Sequence, residues 1–207
     1  MNTEYSYWYY RNAIPKRICN DIIEYGLQNA KQSAVIADKK LNQKIRKSNV
    51  AWLDEQWIYK EIVPYIEQAN IDAGWNYHIS RSEMAQFTMY EPGQFYDVAT
   101  QGQFYDWHVD AWTKPYKKGE NWPHLEGLYR KLSVTVCLND TTEYEDGQLE
   151  MGMNARPDHN RDIHDLRPLS TQGTVIVFPS YEWHRVQPVT KGTRYSLVVW
   201  MCGDPFK

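Results

Sequence analysis

The hydrophobic period of the chain changes once, near Gly74, and that change limits the fold more than any other feature. Before it, apolar residues recur at helical spacing. Ile14, Ile18, Ile22, Ile23 and Leu27 predict a helix running from Pro15, a residue suited to a first turn, through about residue 31. Trp57, Ile58, Ile62, Tyr65, Ile66 and Ala69 share one face of a second helix predicted over residues 54–73. Asp54 is its expected N-cap and Gly74 lies just past its end. Pro64 inside that segment lacks a backbone donor and predicts a kink or a split. The polar run KKLNQKIRKSN (39–49) reads as a loop, and VAWL (50–53) as the lead-in to the second helix.

After Gly74 the apolar residues come in short runs. Candidate strands are 76–80, 84–90, 104–110, 129–138, 147–153, 173–178 and 194–202. The aromatic run YSYWYY (5–10) predicts an edge strand. Short strands separated by turn residues predict a sandwich or jelly roll, and two helices ahead of them predict helices laid against one outer face. The expected class is mainly β with flanking N-terminal helices (α+β). At 207 residues a single domain is expected, with 1–75 as helical support and 76–207 as the β core. Within LSVTVCL (132–138), Leu132, Val134, Val136 and Leu138 form one face, and Ser133, Thr135 and Cys137 the other. In the last strand the same alternation puts Arg194, Ser196, Val198 and Trp200 on one side. The aliphatic face of 132–138 is expected to pack on the helices.

Charge and cysteine usage narrow the partners. The net charge is −3, and the lysine pairs Lys39-Lys40 and Lys117-Lys118 are short and isolated, which argues against a nucleic-acid partner. Cys19, Cys137 and Cys202 are odd in number and show no CxxC spacing, so they read as free thiols in a reducing compartment; a cytoplasmic location is expected. The stretch MNTEYSYWYYRNAIPK shows no apolar signal-peptide region, and no run of about 18 apolar residues predicts a membrane span. With 9 Trp and 16 Tyr, some aromatics are expected to line a cleft as well as fill the core.

The chemistry-bearing stretch is FYDWHVD (104–110). In an extended strand His108 and Asp110 leave the same face and supply two of the three groups of a 2-His-1-carboxylate site for non-haem Fe(II). His184, in FPSYEWHRVQP, is the candidate third ligand, and Arg194 follows in a β-rich run. A lone His-x-Asp pair is weak evidence, because a half-buried strand histidine bonded to its neighbour explains it equally well. The second half of the pattern shifts the balance: a strand ending in FPS (178–180), then a histidine, then an arginine in the next strand. Asp106 shares parity with both residues and competes as a ligand.

Together these residues resemble an Fe(II)/2-oxoglutarate-dependent dioxygenase of the prolyl 4-hydroxylase type, close to the PKHD-type hydroxylases. The resemblance is carried by Tyr90-Glu91-Pro92-Gly93, His108-x-Asp110, Gly147-x-Leu149, the FPS run, His184 and TRYSLVVW (193–200). It implies a double-stranded β-helix, a cupin-like jelly roll whose open end holds the metal through His108, Asp110 and His184. It also implies Fe(II), 2-oxoglutarate and O2, with ascorbate as an accessory, and hydroxylation of an unactivated C–H as 2-oxoglutarate becomes succinate. Arg194 would bind the distal carboxylate of 2-oxoglutarate, since a guanidinium offers two parallel hydrogen bonds and stays charged. Its alternative is a surface ion pair. Tyr90 matches a position whose hydroxyl contacts the cosubstrate; its alternative is a core tyrosine. The small polar face then looks into the cosubstrate pocket, which places Thr135, Cys137 and Ser196 there. Some relatives carry a tyrosine where Cys137 stands, so that contact to the distal carboxylate is in doubt. Arg185 follows His184 directly and is expected to point elsewhere.

A peptide or protein containing proline is the substrate the resemblance implies. The alternatives are the same chemistry on a free amino acid, another side chain or a small metabolite, and a jelly-roll binding module without activity. Nucleic-acid demethylases of the superfamily carry a further arginine soon after the one that binds 2-oxoglutarate, whereas Arg194 is the last arginine here. Substrate contacts are expected from Tyr105 ahead of His108, from Trp112, Tyr116 and Trp122 in the long loop 111–128, and from Trp200 beneath the pocket. Relatives have a mobile substrate-covering loop at 111–128; packing against the barrel mouth is its other reading. The pentapeptide GQFYD occurs at 93–97 and again at 102–106, a tandem insertion that either lengthens the lip of the site or has no role, and that leaves Tyr96 as a rival to Tyr105. The polar stretch 154–168 carries His159 and His164; a second metal site there is set against a solvated loop.

Overall fold

The computed structural model describes residues 5–40, 50–92, 107–117, 119, 122–152 and 163–205, with only the backbone for 31–40. Its elements in order are β1 (Trp8–Tyr10), α1 (Lys16–Lys40), β2 (Val50–Leu53), α2 (Gln56–Asp72), β3 (Arg81–Ser82), β4 (Ala85–Tyr90), β5 (Tyr129–Cys137), β6 (Tyr144–Asp146), β7 (Leu149–Gly152), β8 (Ile163–Asp165), β9 (Val175–Pro179), β10 (Trp183–Val186), β11 (Val189–Gly192) and β12 (Arg194–Gly203). The large sheet runs β1-β9-β5-β12-β4-β2, with β3 added to β12. Two small sheets, β10-β7-β8 and β11-β6, complete the β part, and every pairing is antiparallel.

Strand alternation gives the large sheet an apolar layer on each side. Leu132, Val134, Val136 and Leu138 join Val175, Val177, Leu197 and Val199 in one cluster with Ile18, Ile22, Ile58, Ile62 and Ile66 from the helices. The intervening residues Ile176 and Phe178 turn the other way and meet Leu149, Met151, Val186 and Val189 of the small sheets. The layers are therefore helices, large sheet, small sheets. Each fully buried aliphatic side chain stabilises this arrangement by about 1.5–3 kcal/mol relative to exposure.

Several expectations change at the level of single elements. α1 continues to Lys40 rather than ending near residue 31. The sequence KQSAVIADKK loses its apolar period but holds no glycine or proline to stop a helix. α2 begins one residue after Glu55, whose backbone is extended and whose side chain makes no capping bond, so Asp54 is not the N-cap. α2 runs unbroken through Pro64, which sits on its exposed side while Ile58, Ile62 and Ile66 are buried. Packing of that face outweighs the one lost backbone bond. Gly74 ends the helix with φ of 69°, as expected, its N–H bonded to Ile71 O.

VAWL is not a lead-in but edge strand β2, paired with β4, with Ala51 and Leu53 buried and Trp52 outward. Residues 76–80 form no strand. There the Asn70 side chain takes both backbone groups of Tyr77, at 2.9 and 3.0 Å, in place of a ladder. YSYWYY yields edge strand β1, as expected. Of the predicted strand 104–110, residues 107–110 contribute a single bridge, and 104–106 lie outside the described residues. β6, β8, β10 and β11 are three or four residues long and escaped prediction. Cys19, Cys137 and Cys202 are buried free thiols. Among the described residues no helix is long and apolar enough to cross a membrane.

Candidate active site

One rung of β structure joins the two histidines. His108 N–H donates to His184 O at 3.1 Å, and His184 N–H to His108 O at 3.0 Å. His184 lies within β10, where it faces Met151 of β7, so the small sheet sets the height of both imidazoles. Their ring centroids are 4.2 Å apart. Beyond the rung, the Asp110 and Ala111 N–H groups both donate to Ser180 O, at 2.9 and 2.7 Å. That bond pattern, rather than a continuous strand, brings Asp110 alongside His108. Asp110 Oδ1 lies 3.7 Å from His108 Nε2, and Oδ2 lies 3.5 Å from His184 Nε2. One ligand atom from each of the three residues falls within 4.8 Å of the others, the only such group among the described residues.

The surroundings prepare these groups for a cation. His184 Nδ1 lies 3.0 Å from the Glu182 carbonyl, which can only accept. The proton therefore sits on Nδ1, and Nε2 keeps its lone pair toward Asp110. Phe178 packs on the same ring at 4.7 Å. Burial raises the Asp110 carboxyl, but His184, His108, the Ser133 hydroxyl and the Trp200 indole outweigh it and hold the group below the ordinary carboxylate range. Two imidazoles and a carboxylate are the donor set that suits a first-row divalent metal such as Fe(II).

The cleft beside this trio is lined by Gln86, Tyr90, Thr135, Val198 and Trp200 together with the three residues themselves. Deeper in lies Arg194, only 2% exposed, with its Cζ 4.9 Å from the Tyr90 ring centre. Arg194 Nη1 and Ser196 Oγ are buried without a hydrogen-bond partner, and both come from one face of β12. No carboxylate pairs with Arg194 among the described residues. An uncompensated buried guanidinium costs several kcal/mol, so the site is built for an anion. A dicarboxylate such as 2-oxoglutarate, with one end at Arg194 and the other toward the metal trio, fits this donor set. Gly147, with φ of +70°, clears the space: a Cβ there would lie 3.3 Å from Arg194 Cδ. Burial pushes the Cys137 thiol up, so it stands near Arg194 as a neutral group.

A second layer links the trio to the aromatic surface. The Arg130 guanidinium lies between the rings of Trp112 and Trp200, with Cζ 4.9 and 4.3 Å from their centres. Its Nε and Nη2 pair with the Glu83 carboxylate, the latter bond at 2.7 Å, and Nη1 reaches the Asp110 carbonyl at 3.4 Å. On the other side Trp200 meets Trp52 at 6.1 Å, and Trp52 meets Trp122 at 6.4 Å. Trp112 is 49% exposed. Tyr116, expected as a substrate contact, is instead buried with Leu125 and Cys202, and its hydroxyl bonds Glu83. Reciprocal 3.0 Å bonds between Tyr116 and residues 127–128 anchor this part of the long loop, which favours the packing reading over a mobile cover.

Arg185 points away, toward Glu150 at 2.7 Å and over Trp107, as expected. His164 pairs in β8 and packs edge-on against Tyr7. It is no part of a metal cluster among the described residues. Tyr96, Tyr105, Asp106, His159 and the GQFYD repeat lie outside the described residues. Sequence reasoning missed Arg130, Glu83 and Tyr144 and gave Ser133 no specific task. Tyr144 sits close enough to Arg194 to feel its charge. The one available signal was the placement of Ser133 on the polar face of its strand.

A family model described as the 2OG-Fe(II) oxygenase superfamily matches residues 85–202. A PKHD-type hydroxylase of Pseudomonas paraeruginosa is 24% identical over 136 residues, 65% of this chain and 53% of that protein. The chain thus spans about half the length of the curated relatives it matches. Among solved structures, the viral collagen prolyl hydroxylase vCPH of Paramecium Bursaria Chlorella virus-1, in a 2OG complex, aligns with TM-score 0.61 at 16% identity, covering 98% of this chain and 99% of that one. A Pseudomonas putida prolyl-4-hydroxylase aligns with TM-score 0.58 at 17% identity, covering 96% and 92%. The likeness to these structures lies in the fold, the double-stranded β-helix.

Proposed function

Because the chain belongs to the 2OG-Fe(II) oxygenase superfamily, we propose that it is a 2-oxoglutarate-dependent hydroxylase acting on a prolyl residue of a peptide or protein. One observation carries the reading. A His-Asp-His trio lines a cleft walled in part by Tyr90, and a buried arginine with an unused donor, Arg194, lies against that Tyr90 ring, 4.9 Å from its centre. The fold likeness to two prolyl hydroxylases and the relationship to PKHD-type hydroxylases support proline as the target.

His108, Asp110 and His184 would hold Fe(II). When bound, the iron with O2 and 2-oxoglutarate supplies oxidation of an unactivated C–H bond, and 2-oxoglutarate leaves as succinate and CO2. Arg194 receives the distal carboxylate of 2-oxoglutarate through Nη1, with Ser196 Oγ and the Tyr90 hydroxyl beside it. Thr135 lines the cleft, and Cys137 stands near Arg194 behind it. The Glu182 carbonyl keeps His184 in the tautomer that leaves Nε2 free. Trp200, at the boundary of cleft and surface, excludes water and presents its ring to the substrate. Trp112 and Trp122 extend that aromatic surface on either side, and Tyr105 serves as a further contact.

The test is turnover. Purified chain with Fe(II) converts 2-oxoglutarate to succinate; His108→Ala abolishes this, and proline-containing peptides gain one oxygen by mass. Oxygen gain on other residues alone keeps the hydroxylase and removes the proline assignment. Absence of both 2-oxoglutarate consumption and metal binding removes the whole reading.

A further inference from the structure

Asp110 is held more tightly than a metal ligand needs for its place in the chain alone. The Ser133 hydroxyl donates to Asp110 Oδ2 at 2.7 Å. Ser180 Oγ, 3.0 Å from the Ser133 hydroxyl, is a second acceptor for its single proton, and the charged carboxylate at 2.7 Å is the stronger of the two. Ser133 is 0% exposed and Ser180 1%, so water does not compete for that proton. Ser133 sits in β5 at the centre of the large sheet, opposite Trp200 of β12 and Phe178 of β9. Ser180 N–H donates to Lys131 O at 2.9 Å, and Ser180 O takes the Asp110 and Ala111 N–H groups. Asp110 is therefore clamped at its backbone by the Ser180 carbonyl and at Oδ2 by the Ser133 hydroxyl of β5.

We infer that Ser133 is a positioning residue that restricts Asp110 to one-oxygen ligation and so preserves a coordination position for 2-oxoglutarate. The inference rests on the metal-site reading above. A carboxylate binds a cation through one oxygen or through both, and nothing in its own chemistry forbids the second mode. A first-row ion held by three protein atoms keeps its remaining positions open only while each ligand takes a single place. A cosubstrate that chelates through two oxygens needs two of those positions side by side. The Ser133 proton engages the lone pair through which Oδ2 would otherwise swing onto the metal. In its absence the carboxylate turns, takes a second place, and competes with 2-oxoglutarate.

The experiment uses the full chain loaded with Mn(II) under anaerobic conditions. Water-proton relaxation counts exchangeable metal-bound water, and calorimetry gives 2-oxoglutarate affinity. Ser133→Ala shows one exchangeable water fewer than the unaltered protein and binds 2-oxoglutarate about tenfold more weakly. Ser133→Thr, which restores the hydroxyl, recovers both. An S133A protein with the original water count, or with unchanged 2-oxoglutarate affinity, overturns the inference, as does S133T behaving like S133A. A loss of stability alone moves neither the water count nor the rescue. Failure of the unaltered protein to bind Mn(II) sinks the metal-site reading and this inference together, whereas normal Mn(II) binding with an unaltered water count in S133A sinks this inference alone.

Discussion

Gly147 and Arg194 meet at the back of the cleft: a Cβ on Gly147 would stand 3.3 Å from Arg194 Cδ and 2.5 Å from Val189 Cγ2. The glycine also holds φ of +70°, where an L side chain is strained by about 1–2 kcal/mol. Gly147→Ala is therefore expected to lower stability by about 2 kcal/mol or more and to weaken 2-oxoglutarate binding through displacement of the guanidinium. Urea unfolding and calorimetry measure the two effects. Full cosubstrate affinity in G147A would remove Gly147 from the anion site.

Arg130 and Glu83 form a nearly dry ion pair, 12% and 3% exposed. Removing one partner of such a pair leaves the other charge uncompensated, typically a loss of about 3–5 kcal/mol. Arg130→Met is expected to fall in that range by chemical denaturation and to quench less of the fluorescence of Trp112 and Trp200, which now sandwich the guanidinium. The double variant with Glu83→Gln recovers part of the loss; if the two changes simply add, the pair is not coupled.

Metal addition offers a direct measurement. Mn(II) or Co(II) is expected to raise the thermal midpoint of the protein as a ligand that binds only the folded state. Asp110→Asn is expected to abolish the rise. The gain is also expected to disappear at acid pH, because protons compete with the cation for the two imidazoles and then for the carboxylate. A midpoint that responds equally in D110N would place the metal elsewhere.

Burial pushes the Glu182 carboxyl above its ordinary value of 4.5. In that window the folded state binds more protons than the unfolded one, so stability falls as pH rises through it. Glu182→Gln is expected to raise the thermal midpoint at pH 7 and to flatten its pH dependence above 4.5, while His184 keeps its backbone acceptor. A lower midpoint for E182Q at neutral pH would show that the charge is stabilising instead.

The parts of the fold that were legible in the sequence are those set by repetition. β5 and β12 alternate over many residues, so their faces were assigned correctly, as were the buried sides of both helices. β10, which carries His184, is only four residues long with one fully apolar position, too short for a period to show. Asp110 was chosen for parity on a strand, yet its place comes from two N–H groups converging on Ser180 O, a contact across distant sequence that no local pattern encodes. Arg130 and Glu83 were invisible for the same reason. Each looks like an ordinary surface charge until the sheet brings them together. Tyr116 was misread because aromatic residues in a loop advertise contact area without saying whether the protein's own core will use it.

The single rung between His108 and His184 has a consequence for assembly. Neither imidazole acquires its partner until the last third of the polymer has been synthesised and threaded back beside the middle. Long-range closure of this kind comes late in folding. A nascent or truncated chain can thus offer His108 and Asp110 but not the complete three-residue set. On the proposed metal-site reading, capture of the ion would report that β10 has been set beside residues 108–110.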